Sequence, residues 1–174
     1  MSRLKVVVFP SDLGWIATAW RNNRLHRVTF AHSNPQQAVK QVETEGAQIV
    51  AAQGKMQRLA SRLQAFAKGD RQDDFVDVQL DTDELTEFQI KVTQRCREIS
   101  SGQTMSYGEL ARAAGYPGAA RAVGSVMANN RWPLIIPCHR VVAAHGLGGF
   151  SARHGLRMKR RLLSCEPSTL STES

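Results

Sequence analysis

Cysteine is sparse in this 174-residue chain: Cys96, Cys138 and Cys165 are odd in number and far apart. That pattern excludes the disulfide framework of a small secreted domain and offers no paired spacing for zinc. No metal and no cofactor are expected, and the thiols should be free in a reducing compartment. Long apolar runs are absent as well. Nothing approaches the roughly 20 residues needed to cross a bilayer, and Met1-Ser2-Arg3-Leu4-Lys5 enters a strand-like stretch without a signal-peptide core. The expectation is a cytoplasmic protein with no membrane partner. Acidic side chains are the third shortage, and an uneven one. The net charge is +8; residues 1–85 hold 11 basic and 10 acidic side chains, whereas residues 86–174 hold 12 and 5. The cationic surface therefore belongs to the second half, where it would attract a polyanion at long range.

With 42% hydrophobic and 22% charged residues, the chain has globular composition. Its length suits two small domains. In the first half, the β-branched run Val6-Val7-Val8-Phe9 and the stretch from Trp15 to Trp20 flank the turn Pro10-Ser11-Asp12-Leu13-Gly14, which predicts a hairpin. After Asn22-Asn23, the alternation from Leu25 to Phe30 predicts a third strand. A helix-like stretch at 35–45 and a helix over 55–68, with Met56, Leu59, Leu63 and Phe66 at helical spacing, complete this part; one helix is expected to pack on the sheet. The acidic segment 70–84 reads as a connection with a strand at 75–80. The expected fold class is α+β: a small N-terminal α/β domain with an antiparallel sheet over 1–85, and a mostly helical C-terminal domain over 86–174.

Thr86-Glu87-Phe88-Gln89 has capping-box spacing, and the helix that it starts would bury Phe88, Val92, Cys96 and Ile99, so Cys96 reads as core. Ser101-Gly102 stops that helix. A second capping box, Ser106-Tyr107-Gly108-Glu109, opens a short helix ending at Gly115; a turn then delivers a helix over 119–128. Two short helices around a glycine-containing turn predict a helix-turn-helix. The second helix is lined with Ala119, Ala120, Ala122, Gly124, Ser125 and Ala128. Such small residues admit either a neighbouring helix or a DNA groove, and Arg121 near the N-terminal end would face phosphates. Cys165 reads as a packing residue.

Ile135-Ile136-Pro137-Cys138-His139-Arg140-Val141-Val142 sets a thiol, an imidazole and a guanidinium inside an apolar run. Burial alone would make the thiol inert, so a reactive Cys138 needs a base, and His139 is the adjacent one. Pro137-Cys138-His139-Arg140-Val141 resembles the active-site signature of the methylated-DNA–protein-cysteine methyltransferases. The segments 86–102, 106–111 and 119–124, Asn130, and the stretch from Lys159 to Glu166 are similar to that family in the same order, whereas the N-terminal half matches only in strand order.

The resemblance implies DNA repair by irreversible, single-turnover transfer of an alkyl group from O6-alkylguanine, with O4-alkylthymine as a further substrate and the preference between the two left open, to Cys138 after base flipping. It implies His139 as the base, through a water; Glu166 as its orienting carboxylate; Asn130 as a brace between recognition helix and cysteine segment; and Tyr107 as proton donor to the leaving guanine. Arg121 would fill the vacated space in the stack, with Ala120, Ala122, Gly124 and Ser125 along the DNA. Met127, Val141, Gly149 and Ser151 would join Tyr107 around the base and alkyl group. The partner is double-stranded DNA containing O6-alkylguanine, met by a monomer associated with the nucleoid; cooperative binding along DNA stays open. The alternatives are a lesion sensor without chemistry, a helix-turn-helix regulator and a cysteine hydrolase.

Overall fold

The computed structural model describes residues 2–42, 45–149 and 155–167. The chain divides into two compact units: Met1–Glu84 with Arg131–Pro133, and Leu85–Asn130 with Leu134–Ser174.

The first unit is built on β1 (Lys5–Phe9), β2 (Trp15–Arg21), β3 (Arg24–His32) and β4 (Gln48–Ile49), in the sheet order β3-β2-β1-β4. The antiparallel pairing of the first three strands follows from their turns. Asn22 and Asn23 both take positive φ, 50° and 63°, the conformation of a two-residue type I′ hairpin, which matches strand twist and which asparagine tolerates. β4 pairs parallel with β1 and is too short to announce itself in the sequence.

Helix α1 (Pro35–Val42) lays Ala38, Val39 and Val42 against Val6, Ala17 and Ala19. Helix α2 (Gly54–Ala67) buries Leu59, Leu63 and Phe66, and Leu59 shares a cavity with Trp20. Both faces of β2 are therefore covered, rather than one. The expected strand at 75–80 does not form. Only Leu80 bridges to Leu25, and the segment is held by ion pairs instead: Arg62 grips Asp73 at 2.6 Å and Asp77 at 2.7 Å, and Arg24 grips Asp83 at 2.6 Å. The excursion Arg131–Pro133 also belongs here. Trp132 is buried and its indole N–H donates to the Leu25 carbonyl at 2.8 Å, while the Val28 N–H donates to the Arg131 carbonyl at 2.8 Å.

In the second unit, α3 (Glu87–Arg97) and α4 (Tyr107–Ala113) start at Thr86 and Ser106, and at each the full reciprocal capping box is present. Val92, Cys96 and Ile99 are buried as the spacing requires, while Phe88 packs edge-on against Tyr116 at 4.8 Å. Helix α5 (Ala120–Ala128) follows the turn, β5 (Met105–Ser106) pairs parallel with β6 (Val141–Val142), and α6 (Gly155–Ser164) buries Met158, Lys159 and Leu162. Cys165 is exposed, not packed, because it lies just past the last turn of α6. No helix among the described residues is long and apolar enough to cross a membrane.

Candidate active site and nucleic-acid interface

Proline sets the position of Cys138. Pro137, with φ −78° and ψ 63°, is the centre of an inverse γ-turn in which the Cys138 N–H donates to the Ile136 carbonyl at 2.7 Å. The chain then makes one 3-10 turn, Cys138–Arg140, before β6. Leu134, at the start of this stretch, is held at φ 74°; a branched residue in that region costs roughly 1–2 kcal/mol, offset by its burial among Ile135, Ile136 and Val141.

Cys138 is buried at 6% exposure. Burial pushes its thiol up; the Asn130 side-chain hydrogen bond, the charge of Lys159 and the N–H groups of Cys138 and His139 all pull it down without fully compensating. The resting group is thus a protonated thiol surrounded by donors that would stabilise its anion. Asn130 also spans to the loop before the cysteine, its Nδ2 donating to the Ile136 carbonyl at 3.0 Å.

Behind the thiol, His139 Nε2 lies 2.8 Å from Glu166 Oε1, with both side chains almost wholly buried. Arg140 donates to the same oxygen from Nε at 2.9 Å and Nη2 at 2.7 Å, and its Nη1 donates to the Ile99 carbonyl at 2.7 Å. Burial pushes the Glu166 carboxyl up, but the hydrogen bonds and charges of His139 and Arg140 outweigh it and hold the group at about 2. The carboxylate holds Nε2 and so fixes the orientation of the imidazole ring. The fold thus brings the imidazole next to the thiol in sequence onto a carboxylate 27 positions further along the chain.

Sequence reasoning gave no role to Lys159. It is fully buried, and its Nζ donates to the carbonyls of Val141 at 2.7 Å and Gly149 at 3.1 Å. Burial lowers its basicity and the charge of Cys138 raises it, so it is a cation electrostatically coupled to the thiol. The available signal was a lysine flanked by the core positions Met158 and Leu162 of an amphipathic helix.

Tyr107, the first residue of α4, reaches toward the Gly149 carbonyl at 3.5 Å, and the Lys159 Nζ lies 5.9 Å from its ring centroid. Burial and the charge of Cys138 both push its hydroxyl up, which keeps it protonated. Gly148, at φ 71°, permits this packing: a Cβ there would come within 2.9 Å of the tyrosine ring and hydroxyl. Met127 and Val141 are buried, at 5% and 0% exposure. Ser151 lies outside the described residues.

On α5, Val123 and Met127 face inward, whereas Arg121, Ala122, Ser125 and Ala128 are exposed and Ala120 and Gly124 are half-buried. The small-residue face thus looks to solvent rather than to a neighbouring helix. No side chain caps the N-terminus of α5, so its first N–H groups are open to an anion. Arg112, Arg121, Arg157 and Arg160 form no ion pair among the described residues. Nor, among them, does any group of three or more His, Cys, Asp or Glu side chains assemble as a metal site.

Residues 87–168 match the family profile of the 6-O-methylguanine DNA methyltransferase DNA-binding domain. Over 165 residues the chain is 38% identical to the methylated-DNA–protein-cysteine methyltransferase of Methanosarcina acetivorans, covering 92% of this chain and 97% of that one. It is 46% identical over 93 residues to the protein of that name from Mycobacterium tuberculosis, covering 53% of this chain and 54% of that one. Among solved structures, Mycobacterium tuberculosis OGT in complex with DNA is similar with a TM-score of 0.75 at 29% identity, covering 92% of this chain and 91% of that one. The O6-methylguanine methyltransferase of the same organism gives 0.74 at 30% identity, covering 93% and 92%. Sequence identity along nearly the whole chain, together with the same architecture, makes this protein a member of the methylated-DNA–protein-cysteine methyltransferase family.

Proposed function

We propose that this protein repairs DNA by taking the alkyl group of O6-alkylguanine, with O4-alkylthymine as a further substrate, irreversibly onto Cys138 after the damaged nucleotide has been flipped out of the duplex. The observation that carries this reading is the buried thiol backed by His139 and Glu166 and faced by Lys159. The Sγ proton passes to His139, whose imidazolium forms with the Glu166 carboxylate already in place, and Lys159 and the two backbone N–H groups stabilise the thiolate. Sulfur attacks the alkyl carbon, the S–C bond forms, the C–O6 bond breaks, and the guanine anion takes a proton from Tyr107. An unactivated thioether can give up its alkyl group only by expelling a thiolate, which it does poorly, so each molecule acts once.

Burial of Cys138 requires the base to come to the thiol, and a base in the stack cannot reach it. Extrusion costs a few kcal/mol, less for a mispaired lesion. Arg121, exposed on the small-residue face of α5, would occupy the space left behind. That face carries few groups able to read base edges, which suits a protein that must inspect any sequence. The reading carries with it a monomer acting at the nucleoid in the cytoplasm, without a cofactor.

The test is to incubate the protein with duplex DNA bearing labelled O6-methylguanine. One equivalent of label on Cys138 is expected. Binding without transfer would mark a lesion sensor, tight binding to one unmodified sequence a regulator, and repeated release of label to solution a hydrolase. Affinity for unmodified duplexes should also fall steeply with salt, equally for all sequences, through counterion release.

A further inference from the structure

We propose that Gly102 is a positioning residue of the thiol-activating relay: its missing side chain lets the turn after α3 close on Pro167 and hold Glu166 against His139. The inference rests on the relay reading above.

Glu166 lies beyond the end of α6, where the helix no longer fixes its direction. Its Oε1 takes the hydrogen bonds of His139 and Arg140, and its Oε2 accepts from the Gly102 N–H at 3.3 Å. The same turn supplies the Ile99 carbonyl to Arg140. One short turn therefore grips the carboxylate directly, and through the arginine a second time.

The grip depends on close approach. Gly102 sits at φ 85°, and a Cβ there would overlap the Pro167 carbonyl oxygen and lie 3.3 Å from its Cγ. Stopping α3 requires only a residue that accepts positive φ, which asparagine does. The contact with Pro167 demands more, because the obstructing atom is backbone and cannot rotate away. Any side chain at 102 must move Pro167, and Glu166 is the adjacent residue. The side chain of Glu166 would then leave Nε2, and the imidazolium would lose its counter-charge. Forming the thiolate would need a higher pH.

The experiment follows alkyl transfer from free O6-benzylguanine and from methylated duplex across pH, for the full chain and for Gly102→Asn, Gly102→Ala, Glu166→Gln and the double variant Gly102→Asn/Glu166→Gln. The acid limb should move to higher pH in each variant, with a loss on the order of tenfold at neutral pH. The rate should recover to within about twofold of wild type at alkaline pH, where hydroxide removes the thiol proton. The double variant should be no worse than Glu166→Gln alone, and affinity for unmodified duplex should be unchanged. A loss equal at all pH values, an additive double variant, or a Gly102→Asn profile identical to wild type would overturn the proposal. Should both Gly102 variants fail to fold, Pro167→Gly loosens the contact from the other side and must move the acid limb in the same direction. If wild-type protein transfers no alkyl group, or Cys138→Ser still does, the relay reading itself fails; if wild type transfers and the Gly102 variants match it, only the positioning role fails.

Discussion

In the first unit arginines and carboxylates meet one another; in the second they meet around a thiol. Asp81, almost wholly buried, collects His26 at 3.0 Å, Arg21 at 3.4 Å and Arg24 at 3.7 Å, and Arg62 spans Asp73 and Asp77 while stacking 5.1 Å from the centre of Phe75. Those charges are used up in holding the acidic segment 70–84 to the sheet and to α2. In the second unit the buried ionisable side chains His139, Arg140, Lys159 and Glu166 converge on one end of the Cys138 segment, while Arg112, Arg121, Arg157 and Arg160 form no ion pair among the described residues. Similar residue types therefore hold a connecting segment where both signs are balanced and surround a buried thiol where one sign is in excess.

The sharpest way to break this comparison is at the thiol. Cys138→Ser should abolish transfer, because the hydroxyl is a far harder nucleophile to ionise, while leaving affinity for unmodified duplex unchanged; mass spectrometry after incubation with methylated DNA checks it. Next is Arg121→Ala, which should slow repair in duplex by roughly tenfold to a hundredfold and leave reaction with free O6-benzylguanine nearly untouched, since only the duplex requires extrusion. Equal losses on both would place Arg121 in the pocket instead.

The third prediction concerns acid. The Glu166 carboxyl is held at about 2 in the folded chain against an ordinary value of 4.5. A depressed acid contributes stability that is present above about pH 4.5 and lost as pH falls toward about 2. Wild-type protein should therefore lose stability across that window, and Glu166→Gln should flatten that part of the curve in denaturant titrations. The smallest effect on chemistry is expected in the first unit. Arg62→Ala should lower stability by about 1–2 kcal/mol, through loss of a partly exposed ion-pair set and its ring contact, with transfer per folded molecule unchanged; a slower reaction would show that the charges of the first unit are not merely structural.

Both capping boxes, the Asn22-Asn23 hairpin and the buried face of α3 were legible in the sequence because each is a local bargain between neighbouring residues: a hydroxyl three positions from an amide, two residues tolerant of positive φ, apolar groups one turn apart. The cysteine segment was legible for a different reason, its resemblance to known sequences, which named Cys138, His139 and Glu166 but no distance between them. Lys159 stood in a similar stretch without a role, since nothing local distinguishes a lysine bound for water from one bound for two buried carbonyls.

The sequence by itself determined the first three strands, the helices from α1 to α5 and the charge asymmetry between the halves, all of which depend on residues close along the chain or on composition. Tertiary structure alone decided the rest. It turned the expected strand at 75–80, within the connecting segment 70–84, into part of an ion-paired strap, because the segment's aspartates find arginines on α2 and at the turn between β2 and β3. It carried Arg131–Pro133 into the first unit, where the Trp132 indole found the Leu25 carbonyl. It set Gly102 against Pro167 and so gave a residue that reads locally as a helix stop a second role, for close approach between residues 65 positions apart is a property of packing that no local pattern encodes.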